Sequence, residues 1–230
     1  MKTATKITSD AISRAKSACH AGMHEYELEA ELMHVFYSRG ARKTAFNPTI
    51  ASGKNACILH YEANKSIMQH GQLVLIDAGA EYEHYASDLS RTFPVDGLFK
   101  PMQQEIYNIV KHAHEKTIAQ ITPGLPYNKL QETAAKEITD GLKHLGFLSG
   151  DLNELIEKEK YRKFMPHNVS HWVGLDAHDV GGYKKNETWR KLEPFMVLTV
   201  EPGIYIQDDE HEENSIGVRI EDEILVTESG

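Results

Sequence analysis

Cysteine is scarce in this chain of 230 residues: Cys19 and Cys57 are the only two. They cannot build a disulfide framework, and the pair fits a reducing compartment. Long apolar runs are missing as well. None approaches the roughly 20 residues that span a bilayer, and the opening segment MKTATKITSDAISRAK has no apolar core of signal-peptide length. The expected location is the cytoplasm, with no membrane partner. Basic charge is in deficit: 25 Lys and Arg stand against 34 Asp and Glu, a formal net charge of -9. Such a chain repels phosphate backbones, so no nucleic-acid partner is expected. Repeats, low-complexity tracts and Pro/Ser-rich linkers are also lacking, and the length suits one domain or at most two small ones. What the chain does have is histidine, 13 of them, and an excess of carboxylates able to gather around cations.

The periodicity changes along the chain. Ile7, Ala11, Ala15 and Ala18 recur at helical spacing before Gly22, and Leu28, Leu32, Val35 and Phe36 do so before Gly40. Short segments follow: Cys57 to Tyr61, Gln72 to Ala78 and Tyr85 to Phe93 read as strands, the last two joined by a short hairpin link at Gly79 to Glu83. Pro101 opens a helix with an Ile106, Val110, Ala113, Ile118 stripe. Leu130, Ala134, Ile138 and Leu142 mark another, ending at Gly146. A short helix begins near Asp151 and runs into the charged stretch Glu157 to Lys160, a solvated face. Strands return near Val169 to Trp172, at Met196 to Val200, at Ile204-Tyr205 and at Gly217 to Val226. Helices and strands come in blocks, which predicts an α+β fold.

Five polar residues interrupt or end apolar strands. Asp77 shares a face with Leu73 and Leu75, and an aspartate there costs free energy to bury unless it is paired, hydrogen-bonded or metal-bound. Asp88 follows across the hairpin, within reach of Asp77; pairing with Arg91 is the alternative. His167, His171 and His178 crowd one segment, although each taken singly is as readily a structural histidine. A helical His-x-x-x-His metalloprotease pattern is weakened by Asn168, which stands where the acid would be. Glu201 ends an apolar strand before Pro202-Gly203, and Glu221 alternates onto the face of Arg219, with which it can also simply pair. Four convergent carboxylates repel one another unless cations intervene. Two divalent ions balance four negative charges, and oxygen-rich ligands with one imidazole suit manganese, cobalt or iron better than a thiolate-held zinc. Two such ions can share a water, lower its pKa and stabilise a tetrahedral oxyanion.

The strings ILHY (58–61), LIDAGAEY (75–82), SDLSRTFP (87–94), SHWVGLDAHDVG (170–181), LTVEPGIYI (198–206) and GVRIEDEILVTESG (217–230), in this order, carry a resemblance. The chain resembles the catalytic domain of the proline-handling, aminopeptidase P branch of the pita-bread metallopeptidases, the family that includes prolidase, methionine aminopeptidase and creatinase. The resemblance implies a pita-bread α+β fold, with an antiparallel sheet flanked by helices. It implies two divalent ions, most simply manganese: Asp77 on one, His171 and Glu201 on the other, with Asp88 and Glu221 bridging. It makes Glu201 the proton carrier and places His60, His167 and His178 as catalytic and substrate-holding histidines, with Tyr205 and Arg219 lining the substrate site. The implied reaction is that of an Xaa-Pro aminopeptidase: a metal-bridging hydroxide cleaves the bond between an N-terminal residue and a following proline. A prolidase acting on Xaa-Pro dipeptides and a non-catalytic peptide-binding module on the same fold are the alternatives. Relatives carry an N-terminal domain that helps build a homo-oligomer and narrows the cleft. Residues 1–230 are expected to be the catalytic domain without it.

Overall fold

A computed structural model describes residues 1–229. Two helices, α1 (Lys2–Ala18) and α2 (Glu25–Ser38), precede strands β1 (Lys43–Thr44) and β2 (Thr49–Ser52) and a 3-10 turn at Gly53–Cys57. Strands β3 (Leu73–Ala78), β4 (Ala80–Glu81) and β5 (Leu89–Pro94) follow, then helices α3 (Pro101–Ala119), α4 (Asn128–His144) and α5 (Leu152–Glu157). The last third holds β6 (Lys184–Lys185), β7 (Thr188–Trp189), β8 (Val197–Val200), β9 (Gly203–Ile206), β10 (Ile216–Arg219) and β11 (Asp222–Leu225). Among the described residues every named strand pair is antiparallel: β2-β3-β5, β1-β4, β6-β7, β8-β11 and β9-β10. This is the expected α+β arrangement.

Strand β3 organises the site because its two faces go to different places. Val74, Ile76 and Ala78 pack with Leu28, Leu32 and Phe36 of α2 and with Ile7 and Ala11 of α1. Leu73 and Leu75 point the other way, toward the packing around Val218 and around Tyr205 respectively. Asp77 continues that second face, so alternation alone aims its carboxylate away from the helical layer. Helices α3 and α4 cover β9 and β10 through Ile106, Val110, Ile138 and Leu142, all fully buried. Burial of such side chains contributes roughly 1.5–3 kcal/mol each, so the predicted apolar stripes are also the main anchors of the layers.

Four segments depart from the sequence-based expectation, one of them the run Gly217 to Val226, which breaks at Ile220 and Glu221 into β10 and β11 on different partners. Cys57 to Tyr61 is not a strand. Gly53 adopts φ +55 and opens a 3-10 turn closed by the Ile58 N–H donating to the Asn55 carbonyl at 2.9 Å. Asn55 is drawn inward by a buried carboxylate, and Ile58 is left exposed. This turn packs so closely under β10 that a Cβ on Gly217 would lie 2.2 Å from the Ala56 carbonyl oxygen. The hairpin between β3 and β5 is longer than expected. Its tip is at Glu83 and His84, both at positive φ, between Tyr82 and Tyr85. Its base needs Gly79, where a Cβ would meet the Ser87 carbonyl oxygen at 1.7 Å. Finally, Val169 to Trp172 lies along β8 without a regular ladder. The Thr199 and Glu201 N–H groups donate to the His171 and Val169 carbonyls, but the Thr199 hydroxyl accepts the His171 N–H at 3.0 Å.

Candidate metal centre and its cleft

Four elements deliver the buried acids. Asp77 is near the end of β3, Asp88 just precedes β5, Glu201 follows β8, and Glu221 sits in the break between β10 and β11. Strand continuity is interrupted at the last three, which lets their side chains turn to a common point. His171 reaches that point from the irregular segment beside β8. Its Nε2 lies 3.5 Å from Asp88 Oδ2, 3.5 Å from Glu201 Oε1 and 4.0 Å from Glu221 Oε1. Ligand atoms of Asp88, His171 and Glu221 all fall within 4.8 Å of one another. The imidazole Nδ1 faces the Trp172 carbonyl oxygen at 3.1 Å. Donation from Nδ1 leaves the Nε2 lone pair aimed at the carboxylates, the tautomer a metal ligand needs.

Neither alternative pairing of the acids holds. Arg91 pairs with Asp222 at 2.6 Å, not with Asp88. Arg219 donates to Asp77 Oδ2 at 2.5 Å, to the Ser90 hydroxyl at 2.9 Å and to the Tyr205 phenol at 2.7 Å, and not to Glu221. Glu221 instead accepts from the Ser90 hydroxyl at 2.7 Å. The Tyr205 oxygen must accept from the guanidinium, which has only donors. Its own proton therefore goes to His167 Nε2, 2.9 Å away, and His167 Nδ1 donates to the Asn168 carbonyl at 2.9 Å. Asp77, Arg219, Tyr205 and His167 thus form one directed chain.

The electrostatics show a site built for cations. Burial, then repulsion from Glu221, Asp77 and Glu201, holds the Asp88 carboxyl well above the usual range. Burial, then Glu201 and Asp77, does the same to Glu221. Burial pushes Glu201 from 4.5 up to about 8 even though Arg219 opposes it. His171 and His167 are both lowered from 6.5 to about 4, chiefly by burial, so both are neutral at pH 7. One guanidinium faces four carboxyls, and Asp77 Oδ1 is buried with no hydrogen-bond partner. Acid oxygens in excess, a neutral imidazole with a free lone pair and an orphaned carboxylate oxygen fit divalent metal ions.

The same shifts set a pH dependence for the metal-free protein. Raised carboxyls make the folded state bind more protons than the unfolded chain, so stability falls as pH rises. Lowered histidines act oppositely, but only between about 4 and 6.5. Above 6.5 the carboxyls dominate, up to the Glu201 value of about 8. The metal-free melting temperature is expected to fall between these pH values, and added manganese to raise it more at the upper one. Calorimetry showing a flat profile and an equal gain at both values would contradict this charge assignment.

Four of the remaining expected residues, His60, His167, His178 and Arg219, line one cleft of about 1200 Å³ together with the acids. His60 and His178 are exposed on its walls, and the His178 ring meets His171 edge-on at 4.3 Å between centroids. His167, Tyr205 and Arg219 stand together; Arg219 reaches the cleft although it is largely buried, whereas Tyr205, expected to line the site, is buried outside the lining and touches it only through His167 and Arg219. The sequence reading missed the supporting groups: Ser90, Thr199, and Glu223, whose carboxylate accepts the Asp88 N–H at 2.8 Å. No local pattern marks them, since each acts on a residue distant in sequence or across strands. It also missed Tyr127, Tyr183 and Trp189, which line the same cleft.

A model of metallopeptidase family M24 matches residues 1–228, and the chain belongs to that family. Xaa-Pro aminopeptidase of Escherichia coli (strain K12) is 46% identical over 233 residues, taking in 100% of this chain and 53% of that protein. Xaa-Pro dipeptidase of Homo sapiens is 34% identical over 262 residues, 98% of this chain and 53% of its own length. The solved structure of Pseudomonas aeruginosa aminopeptidase PepP superposes with a TM-score of 0.97 at 46% identity, covering 100% of this chain and 53% of that one. The pita-bread fold expected from the resemblance is therefore the fold observed. The chain spans about half the length of the curated relatives it matches. Membership in a metallopeptidase family makes divalent metal the implied cofactor, and Asp88, His171 and Glu221 are grouped where one can bind. Among the described residues no helix is long and apolar enough to cross a membrane.

Proposed function

We propose that residues 1–230 form the catalytic domain of a metal-dependent Xaa-Pro aminopeptidase, acting on peptides with proline second. The observation that carries this reading is the convergence of Asp88, Glu201 and Glu221 on the neutral His171 at the floor of a peptide-sized cleft. Asp77, Asp88, His171, Glu201 and Glu221 would hold two divalent ions, for which manganese suits the oxygen-rich donor set. When bound, such ions supply Lewis acidity and lower the pKa of water.

The chain's own residues supply the rest. Glu201 would take a proton from the attacking water and return it to the proline nitrogen as the C–N bond breaks, a task suited to a carboxylate placed beside His171 among the converging acids. His178, exposed beside His171, donates to the developing oxyanion. His60, exposed in the same cleft, holds the substrate. His167 has both ring nitrogens engaged by protein groups, so it offers its ring to the proline side while Tyr205 and Arg219 keep it in place. The same reading carries a cytoplasmic location, in keeping with the free thiols of Cys19 and Cys57, and a homo-oligomeric full-length form.

The test is a peptide panel on the manganese-loaded protein, with metal analysis. Xaa-Pro-Xaa tripeptides are expected to be cleaved, Xaa-Ala-Xaa peptides to be spared, and two ions to bind per chain. Faster turnover of Xaa-Pro dipeptides would favour the dipeptidase reading that the human relative suggests. No turnover of any peptide by the two-metal form would leave only a binding module.

A further inference from the structure

Outside the metal centre, the most completely engaged buried charge is Glu25, at the start of α2 and fully inaccessible. Its Oε1 accepts from the Ser52 N–H at 2.7 Å, the Ser52 hydroxyl at 2.7 Å and Asn55 Nδ2 at 3.0 Å. Its Oε2 accepts from the Tyr61 phenol at 2.7 Å and the Ser66 N–H at 2.9 Å. The Glu25 N–H in turn donates to the Ser66 carbonyl. These donors lie at the end of β2 and along the loop that follows it, and two of them, Asn55 and Tyr61, flank His60 on either side. His60 itself is exposed on the cleft wall, with Leu59 and Glu62. An irregular loop has no ladder to fix its backbone, so a carboxylate that gathers five donors sets its path instead.

We propose that Glu25 is a positioning residue: it holds the loop of residues 53–66 so that the His60 imidazole stays at the substrate side of the cleft. This rests on the role given to His60 above. An acceptor is needed at both oxygens because the Ser52 N–H and Asn55 Nδ2 on one and the Ser66 N–H on the other can only donate. In Glu25→Gln the amide nitrogen must face an N–H, that of Ser52 or that of Ser66, whichever way the amide turns. The packing volume is unchanged, so the loop shifts while the helical core around Leu28 and Leu32 is kept.

The test combines Glu25→Gln, His60→Ala, the double variant and Tyr61→Phe, all loaded with manganese. Glu25→Gln is expected to lower kcat/KM for an Xaa-Pro-Xaa peptide about tenfold, less than the roughly 10²-fold of a 1 Å misplacement. Metal content is expected to be unchanged. In the His60→Ala background the same substitution is expected to cost almost nothing further, because both act through one side chain. In the metal-free protein the His60 ring resonance, assigned by its loss in His60→Ala, is expected to shift or broaden in Glu25→Gln. Tyr61→Phe removes one donor and is expected to show the same two effects at smaller size, and it carries the test if Glu25→Gln does not fold. An unmoved His60 resonance, or an equal loss of activity with and without His60, overturns the proposal. If His60→Ala retains full turnover, the function assigned to His60 has failed, and the resonance still decides whether Glu25 holds the ring.

Discussion

Asp88→Ala is expected to abolish peptide turnover and metal binding while making the metal-free protein more stable. Asp88 is 5% exposed, and its Oδ2 faces His171 Nε2 among carboxylates that raise one another's pKa. Removing it takes away an oxygen that the proposed metal site needs, so the loss should exceed the roughly 10–100-fold typical of residues that merely support a ligand. It also removes one buried acid from a repulsive group, which relieves the fold when no cation is present. The backbone anchor survives, because the residue 88 N–H still donates to Glu223. Calorimetric titration with manganese and melting curves of the metal-free protein check both halves. Tight binding of two ions, or a lower metal-free melting temperature, would remove Asp88 from the ligand set.

Arg219→Met is expected to have the largest effect on stability. The guanidinium is the only cation against Asp77 among the described residues, and it also ties Ser90 and Tyr205 from a site 4% exposed. Taking one partner from a buried pair leaves the other charge uncompensated, at a cost of about 3–5 kcal/mol. The Arg219 backbone does not depend on its side chain: it exchanges hydrogen bonds with Thr92 Oγ1 in both directions. Arg219→Lys restores the charge but not the fork of three bonds, so it should recover only part of the loss. Urea unfolding of the metal-free proteins measures this. A cost below about 1 kcal/mol for the methionine variant would mean that Asp77 finds another partner or is protonated.

Much of this architecture is legible in the chain before it folds. The stripes of α1, α2, α3 and α4 appear at the expected spacing, and their members Leu28, Leu32, Ile106, Ile138 and Leu142 are fully buried, because helical periodicity depends only on neighbours three and four residues away. Alternation along β3 is equally local, and it places Asp77 on the face of Leu73 and Leu75. The family strings brought Asp88, His171, Glu201 and Glu221 into one expectation that no single residue justified. Tertiary structure decided what depends on distant partners. Cys57 to Tyr61 has the side chains of a strand, but Glu25, far upstream, draws Asn55 and Tyr61 into a loop. Val169 to Trp172 looks like a strand, yet the Thr199 hydroxyl takes the N–H that a ladder would have used. Arg219 and Glu221 alternate as if paired, but the chain breaks between β10 and β11. The guanidinium then turns to Asp77 and Tyr205, leaving Glu221 to Ser90 and to the group it forms with Asp88 and His171. Periodicity records which face a residue occupies; which buried charge finds which partner is set by the energy of leaving one unpaired, and that is decided only once the layers close.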